Sequence, residues 1–437
     1  MKCDRRQVLG RAGAALGLGL IDPTRLLAAP GARPTLVTVY LRGGWDALNV
    51  VIPYRDPLYY EHRPTIAIPA ADQGEARGVI ALDRQFGLHP ALRPLAPYYE
   101  QRKLAPITCV GSPHPTRSHF DAQDFMEYAS PGERTLRGGW LNRYLAMTSR
   151  PGDERRLRAI SLQRLLPRAL RGEYPVLAVP PGGGPGEPEH AFEDLYEASP
   201  GQMDGSQDGA PDAAPDDHRE GVVHTGQSTI QQLRRYEELI AKGTDAQADE
   251  AYPKGGFAQG LRTIARLIRA GAGLEVAALD IQGWDHHANE AVAAEGVLAR
   301  MLGDLSSGLA AFLADVATTD APVLVLVMSE FGRTVRENGT AGTDHGRGGH
   351  MLVMGTPMLV GGRIYGGWLG LGDNVLADRR DLPVVVDFRE VFLEVLNGLF
   401  SWDAVDLMKR QFFPGTWRPN AAQSRAVRFV ERPEKKR

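Results

Sequence analysis

Pro322–His350, PVLVLVMSEFGRTVRENGTAGTDHGRGGH, decides how the rest of the 437-residue chain is read. Val323–Met328 is apolar, rich in valine and uninterrupted by polar residues, the pattern of a strand buried on both faces. It passes directly into Ser329-Glu330-Phe331-Gly332-Arg333-Thr334 and then into a Gly-, Asn- and Thr-rich loop that carries Thr343-Asp344-His345-Gly346 and His350. Open α/β sheets bind ligands in the crevice outside the carboxyl ends of their strands. Glu330, Asp344, His345 and His350 are therefore candidate metal ligands. Singly, each has an ordinary role: Glu330 as a cap, Asp344 in a turn, His350 solvated on a loop.

Two further strands end in the same way, and a third leads to a candidate serine. Leu36–Leu41 runs into Arg42-Gly43-Gly44-Trp45-Asp46, where Asp46 is as readily an N-cap as a ligand. Leu274–Ile281 ends in Gln282-Gly283-Trp284-Asp285-His286-His287, which adds Asp285 and His287. Leu104–Val110 is followed by Gly111–Asp121 and a helix through Tyr128, so Ser118 falls near a helix N-terminus. A serine there is by default a cap, or else a nucleophile whose anionic partner sits in the positive end of the helix dipole. Arg117 and Arg333 either pair on the surface or orient an anionic group through their planar forks. The collected donors are oxygen and nitrogen without sulfur, which suits zinc, manganese or magnesium. A mixed histidine and carboxylate set favours two divalent ions.

Composition is that of a globular protein, 43% hydrophobic and 24% charged. A net charge of −3, with no basic run, argues against a nucleic-acid partner. Asp4-Arg5-Arg6-Gln7-Val8-Leu9, a weakly apolar Ala12–Leu20 and Leu26-Leu27-Ala28-Ala29 have the order of a twin-arginine export signal over residues 1–32. The expected partner is the twin-arginine machinery and the destination periplasmic or secreted. The apolar run is too short and Gly-rich for a stable membrane span. Cys3 falls in that leader, which leaves Cys109 alone, as a buried small hydrophobe.

One domain is expected over 33–415, with a mobile Gly/Pro/Asp-rich insertion at 180–221 and a polar tail at 416–437. The spacing also predicts short strands at Arg158–Leu162, Val176–Val179 and Pro383–Val386. It predicts helices at Leu88–Lys103, Gln231–Lys242, Phe257–Ala270 and Phe388–Leu399, and a long one ending at Val316.

The motifs RGGWD at 42–46, SHF at 118–120, GWDHHAN at 283–289, SEFGRT at 329–334 and GTDHG at 342–346 resemble an exported bacterial family, domain of unknown function 1501, of the alkaline phosphatase and sulfatase clan. The resemblance runs from about Pro34 to Phe412. It implies a three-layer α/β/α sandwich with a mostly parallel central sheet and a metal site at the sheet's carboxyl edge. It also implies Asp46 as a metal ligand and Ser118 as nucleophile, with Thr116 its competitor. The remaining ligands would be Asp285 with His287, Glu330, and His345 with Asp344. The chain departs from the clan in carrying Ser329-Glu330 where phosphatases carry an Asp-His pair. The spacing from Asp285 to His287 is also shorter, and Cys109 lacks a sulfatase context. The expected function is hydrolysis of phosphate or related anionic esters at two metals. The alternatives are a metal-binding or interaction protein without catalysis, and a metal-independent serine esterase.

Overall fold

The computed structural model describes residues 34–430 except 71–76, 134–137, 151–155, 182–216, 291–294, 357–358, 401–411 and 414–416. The leader and most of the 180–221 insertion lie outside the described residues.

A nine-stranded sheet forms the frame. Its strands are β1 Thr35–Leu41, β2 Leu104–Gly111, β3 Ala159–Ser161, β4 Leu177–Ala178, β5 Val276–Ile281, β6 Val323–Met328, β7 Gly349–Thr356, β8 Tyr365–Gly366 and β9 Val386–Asp387. The order across the sheet is β8-β2-β7-β6-β1-β5-β3-β4, with β9 also pairing β2. All pairs are parallel except those of β7, which runs antiparallel to both β2 and β6. The fold is mixed α/β on a mostly parallel sheet.

Both faces are covered. Side chains alternate along a strand, so Val37, Val39 and Leu41 of β1 enter one core while Leu36 and Tyr40 enter the other. The first core is closed by α2 Gly256–Arg269 and α3 Val297–Val316, the second by α4 Phe388–Phe400 and the Trp140–Met147 helix. Helix α3 is long and apolar enough to cross a membrane by length and composition alone. Its Leu298, Leu302, Leu305, Leu309 and Phe312 are fully buried in the core, which accounts for its apolarity.

Three segments differ from expectation for physical reasons. Leu88–Lys103 is not one helix but a 3-10 turn, Pro90–Leu95, followed by a short helix, Ala96–Glu100. Pro90, Pro94 and Pro97 each lack the N–H that a continuous helix needs. At Pro383–Val386 only Val386 enters a strand, β9. At the other end of the chain the packing continues past 415: Val427, Phe429 and Val430 are buried in the second core, and Ala421–Ala426 is helical. The carboxyl end of the insertion, from Asp217, already belongs to the helix Asp217–Lys242.

Candidate metal centre

Because β1, β2, β5 and β6 are parallel and β7 is reversed, the ends of the first four and the start of the last meet on one edge. From β2 the chain reaches Ser118, the N-cap residue of α1 His119–Glu127. Arg42, at the end of β1, holds that helix to the sheet. Its guanidinium donates to Asp280 at 2.6 Å, to Gln123 at 2.9 Å and to Glu127 at 3.1 Å. Beyond β1 the chain turns at Gly44, where φ is +70° and a Cβ would meet the Phe331 ring at 2.5 Å. Glycine is required there on both counts. Phe331 in turn packs against the rings of His119 and His345, with centroids 4.8 and 5.1 Å apart.

Three imidazoles and a carboxylate converge on this edge. His345 Nε2 lies 2.9 Å from His119 Nε2, 3.0 Å from His287 Nε2 and 3.2 Å from Asp285 Oδ1. His119 Nε2 is 3.3 Å from Asp285 Oδ2, and His287 Nε2 is 3.0 Å from Asp285 Oδ1. The other nitrogen of each ring is committed. His119 Nδ1 donates to Glu330 at 2.8 Å, His287 Nδ1 to Asp344 at 3.1 Å, and His345 Nδ1 to the Arg117 carbonyl at 2.9 Å. In the neutral rings, with the proton on Nδ1, the Nε2 lone pairs and the Asp285 carboxylate face one another, and acceptors so placed repel unless a proton or a metal cation stands among them. Donor atoms about 3.3 Å apart are the edges of a tetrahedron with bonds of about 2 Å. Ring nitrogens tied to carboxylates or a carbonyl are what orients metal-bound histidines. The residues fit a divalent ion, with His119, Asp285 and His345 as the compact donor set.

Electrostatics follow from these contacts. Burial works against the Asp285 carboxylate, but the hydrogen bond and charge of Arg333 hold it down at about 2. Burial opposes ionisation of Glu330 too, and the hydrogen bonds from His119 and Gln123 overcome it. His119 is raised by its bond to Glu330. His345 is lowered, first by burial and then by the charges of His119 and Arg333, so its imidazole is neutral and able to ligate.

The expected residues fall into three groups. Asp285, His287 and His345 are in the converging set, whereas Glu330 and Asp344, expected as ligands, bind the outer nitrogens of His119 and His287. Glu330 is fully buried and also accepts from Gly43 N, Ser329 Oγ and Gln123. Asp46 and His350 stand apart. Both Asp46 oxygens accept from Arg63, and the pair is buried, 2% and 0% exposed. Glu290 is buried close by, and burial, reinforced by the Asp46 charge, raises it well above the usual carboxylate range. His350 is not on a loop but in β7, buried, with Nδ1 accepting from Cys109 N at 3.4 Å.

The arginines do not present free forks. The Arg117 guanidinium is engaged by Asp378 and Asp381. Arg333, buried, donates to the carbonyls of Gly43, Gly44, Trp284 and Thr343 and to Asp285. It fastens three loops together and aims Asp285. Ser118 is exposed, and its hydroxyl makes no capping bond. Thr116 Oγ1 accepts from Ser118 N at 3.2 Å.

His119 is the residue that sequence reasoning missed. The signal was its place at the start of a helix after a core strand, but Ser118 beside it drew the functional reading.

The sequence matches no curated protein. A family model described as a protein of unknown function, DUF1501, matches residues 33–400. The match covers most of the chain and takes in every residue of the histidine cluster, and the protein belongs to the DUF1501 family.

Proposed function

We propose that this protein is an exported, metal-dependent hydrolase of phosphate or related anionic esters, built as a three-layer α/β/α sandwich of the alkaline phosphatase type. The convergence of three Nε2 atoms and Asp285, with every outer ring nitrogen already bonded, carries this reading. His119, Asp285 and His345 would hold one divalent ion, and His287, on the far side of His345 and Asp285, would belong to a second. Zinc or manganese suits the imidazoles better than magnesium does. Such ions would supply Lewis acidity toward an ester oxygen and lower the proton affinity of a bound nucleophile.

The chain's own residues do the rest. Asp285 is kept ionised by Arg333, and Glu330 and Asp344 lock the tautomers that turn Nε2 inward. Ser118 immediately precedes His119 at the amino end of α1, is exposed, and has a hydroxyl not spent on capping. It is the candidate nucleophile, with the helix N-terminus facing charge on the transferred group. Thr116 remains the competitor. Export rests on Arg5-Arg6 and the run that follows. Replacing both by lysine should strand the precursor in the cytoplasm, and export of that variant would remove this part of the proposal.

The decisive experiment is metal analysis of natively purified protein together with turnover of phosphomonoesters, phosphodiesters and sulfate esters. Stoichiometric metal with turnover that Ser118→Ala abolishes supports the full reading. Metal without turnover leaves a metal-binding protein that does no chemistry, and absence of metal sinks the site.

A further inference from the structure

A cavity of about 530 Å³ opens on the same edge of the sheet as the histidine cluster. Its walls include Pro113 just beyond β2, Arg347 just before β7, and Asp387 at the end of β9. These are the loops that build the cluster: Pro113 opens the segment that ends in His119, and Arg347 stands two residues after His345. Gly111 keeps the two loops in contact, since a Cβ there would come within 3.2 Å of the Arg347 carbonyl.

The cavity's chemistry is that of a receptor for an anion on an apolar body. Arg347 Nε is buried without a hydrogen-bond partner, and Arg418 adds a second cation to the wall. Among the described residues the one carboxylate lining it, Asp387, is occupied by a two-oxygen pairing with Arg389, at 2.6 Å and 3.0 Å. It is therefore not free for Arg347, whose guanidinium feels the charge of Asp378 but has no hydrogen-bond partner at Nε. Between these polar groups lie Pro113, Val384 and the indole of Trp417. Buried donors are ordinarily satisfied, and a planar guanidinium is matched best by a carboxylate or phosphate.

We infer that this cavity receives the leaving-group side of the substrate, an apolar or aromatic body bearing a second anionic group that Arg347 and Arg418 hold. The inference rests on the reading of the histidine cluster as the site of ester cleavage. The substrate class it names is a doubly anionic ester, with the scissile group at the cluster and the second anion in the cavity.

Binding without turnover tests it. Metal-loaded protein is titrated calorimetrically with phenylphosphonate and with a series of phenylphosphonates bearing para-carboxyalkyl groups of increasing length. At least one member of the series should bind about tenfold or more tightly than phenylphosphonate, as a charge-assisted hydrogen bond provides. Arg347→Gln should erase that gain, and Arg347→Lys should restore part of it, which separates lost recognition from lost folding. If phenylphosphonate binds but no carboxylate adds affinity, or Arg347→Gln keeps the gain, the cavity has been misread and the cluster has not. If phenylphosphonate itself does not bind, the ester-cleavage reading falls and takes this inference with it.

Discussion

At His345 both ring nitrogens are committed, one to the Arg117 carbonyl and the other to the shared centre, so its removal and the removal of a structural carboxylate should look different. His345→Ala deletes a partly exposed ring and one candidate ligand, and its outer bond is to a backbone carbonyl and not to a buried carboxylate. It should cost most of the metal affinity while leaving the unfolding midpoint of the metal-free protein nearly unchanged. Asp46→Asn does the reverse. It leaves Arg63 charged and buried with half of its pairing lost, a change that costs about 3–5 kcal/mol, and it should leave metal content intact. Urea unfolding of metal-free protein and metal analysis of each variant check both. Loss of metal in Asp46→Asn without loss of stability would return Asp46 to the ligand set. Asp285 and His287 follow β5 and His345 lies in the loop between β6 and β7, and the sequence pointed to these places because a strand's carboxyl end is legible as a break in an apolar run. It could not separate an inward-facing donor from the carboxylate behind it. Glu330 and His119 differ in role only through which atoms face inward, and that depends on the loop path, with no trace in spacing.

At the scale of elements, the centre depends on loops that touch backbone to backbone. A Cβ on Gly342 would meet the His287 carbonyl carbon at 2.4 Å and the Ala288 nitrogen at 2.6 Å. Rigid backbone offers no easy retreat, so Gly342→Ala should push the loop bearing Asp344 and His345 away from the turn bearing Asp285 and His287. The expected outcome is a loss of about 1–3 kcal/mol, in the range of overpacking, with a fall in metal affinity beyond that of a remote variant of equal stability. Metal affinity unchanged in a destabilised Gly342→Ala would show that the two loops are not coupled. The long strands of the frame were legible for the same reason as the strand ends, and their mostly parallel arrangement came from the family resemblance. Val323–Met328 is fully buried, and the sequence run and the strand coincide residue for residue. The reversed strand β7 was not legible. Its apolar core is only Met351–Met354, bounded by His350 and Gly355, and it fills the gap between β2 and β6 through pairing that is non-local in sequence. Prolines defeated the helix expected at Leu88–Lys103, where apolar spacing alone gave the period without the hydrogen bonds.

Across the whole molecule, stability should fall on acidification through histidines that lie away from the converging donors. His89 is wholly buried, caps the Pro90–Leu95 turn by accepting from Ala91 N at 3.0 Å, and burial lowers it from 6.5 to about 4, against the pull of Asp46. Burial does the same to His350, also to about 4. Between pH 6.5 and 4 the unfolded chain takes up a proton on each of these residues that the folded chain refuses. The unfolded state then binds more protons, so stability rises with pH across that window and is lost as pH falls through it. A shift of that size corresponds to about 3 kcal/mol per histidine at the acid end. His89→Asn keeps an acceptor for Ala91 N but removes the titration. Its stability should be lower than the wild type's at pH 7 by the packing lost with the ring, yet its decline from pH 6.5 to 4 should be shallower by the share of one proton. Urea unfolding of the metal-free protein at half-unit pH steps measures both slopes. Parallel curves for wild type and His89→Asn would mean that His89 is protonated in the folded state, and that the charges around Asp46 accommodate an imidazolium where the burial of the ring forbids it.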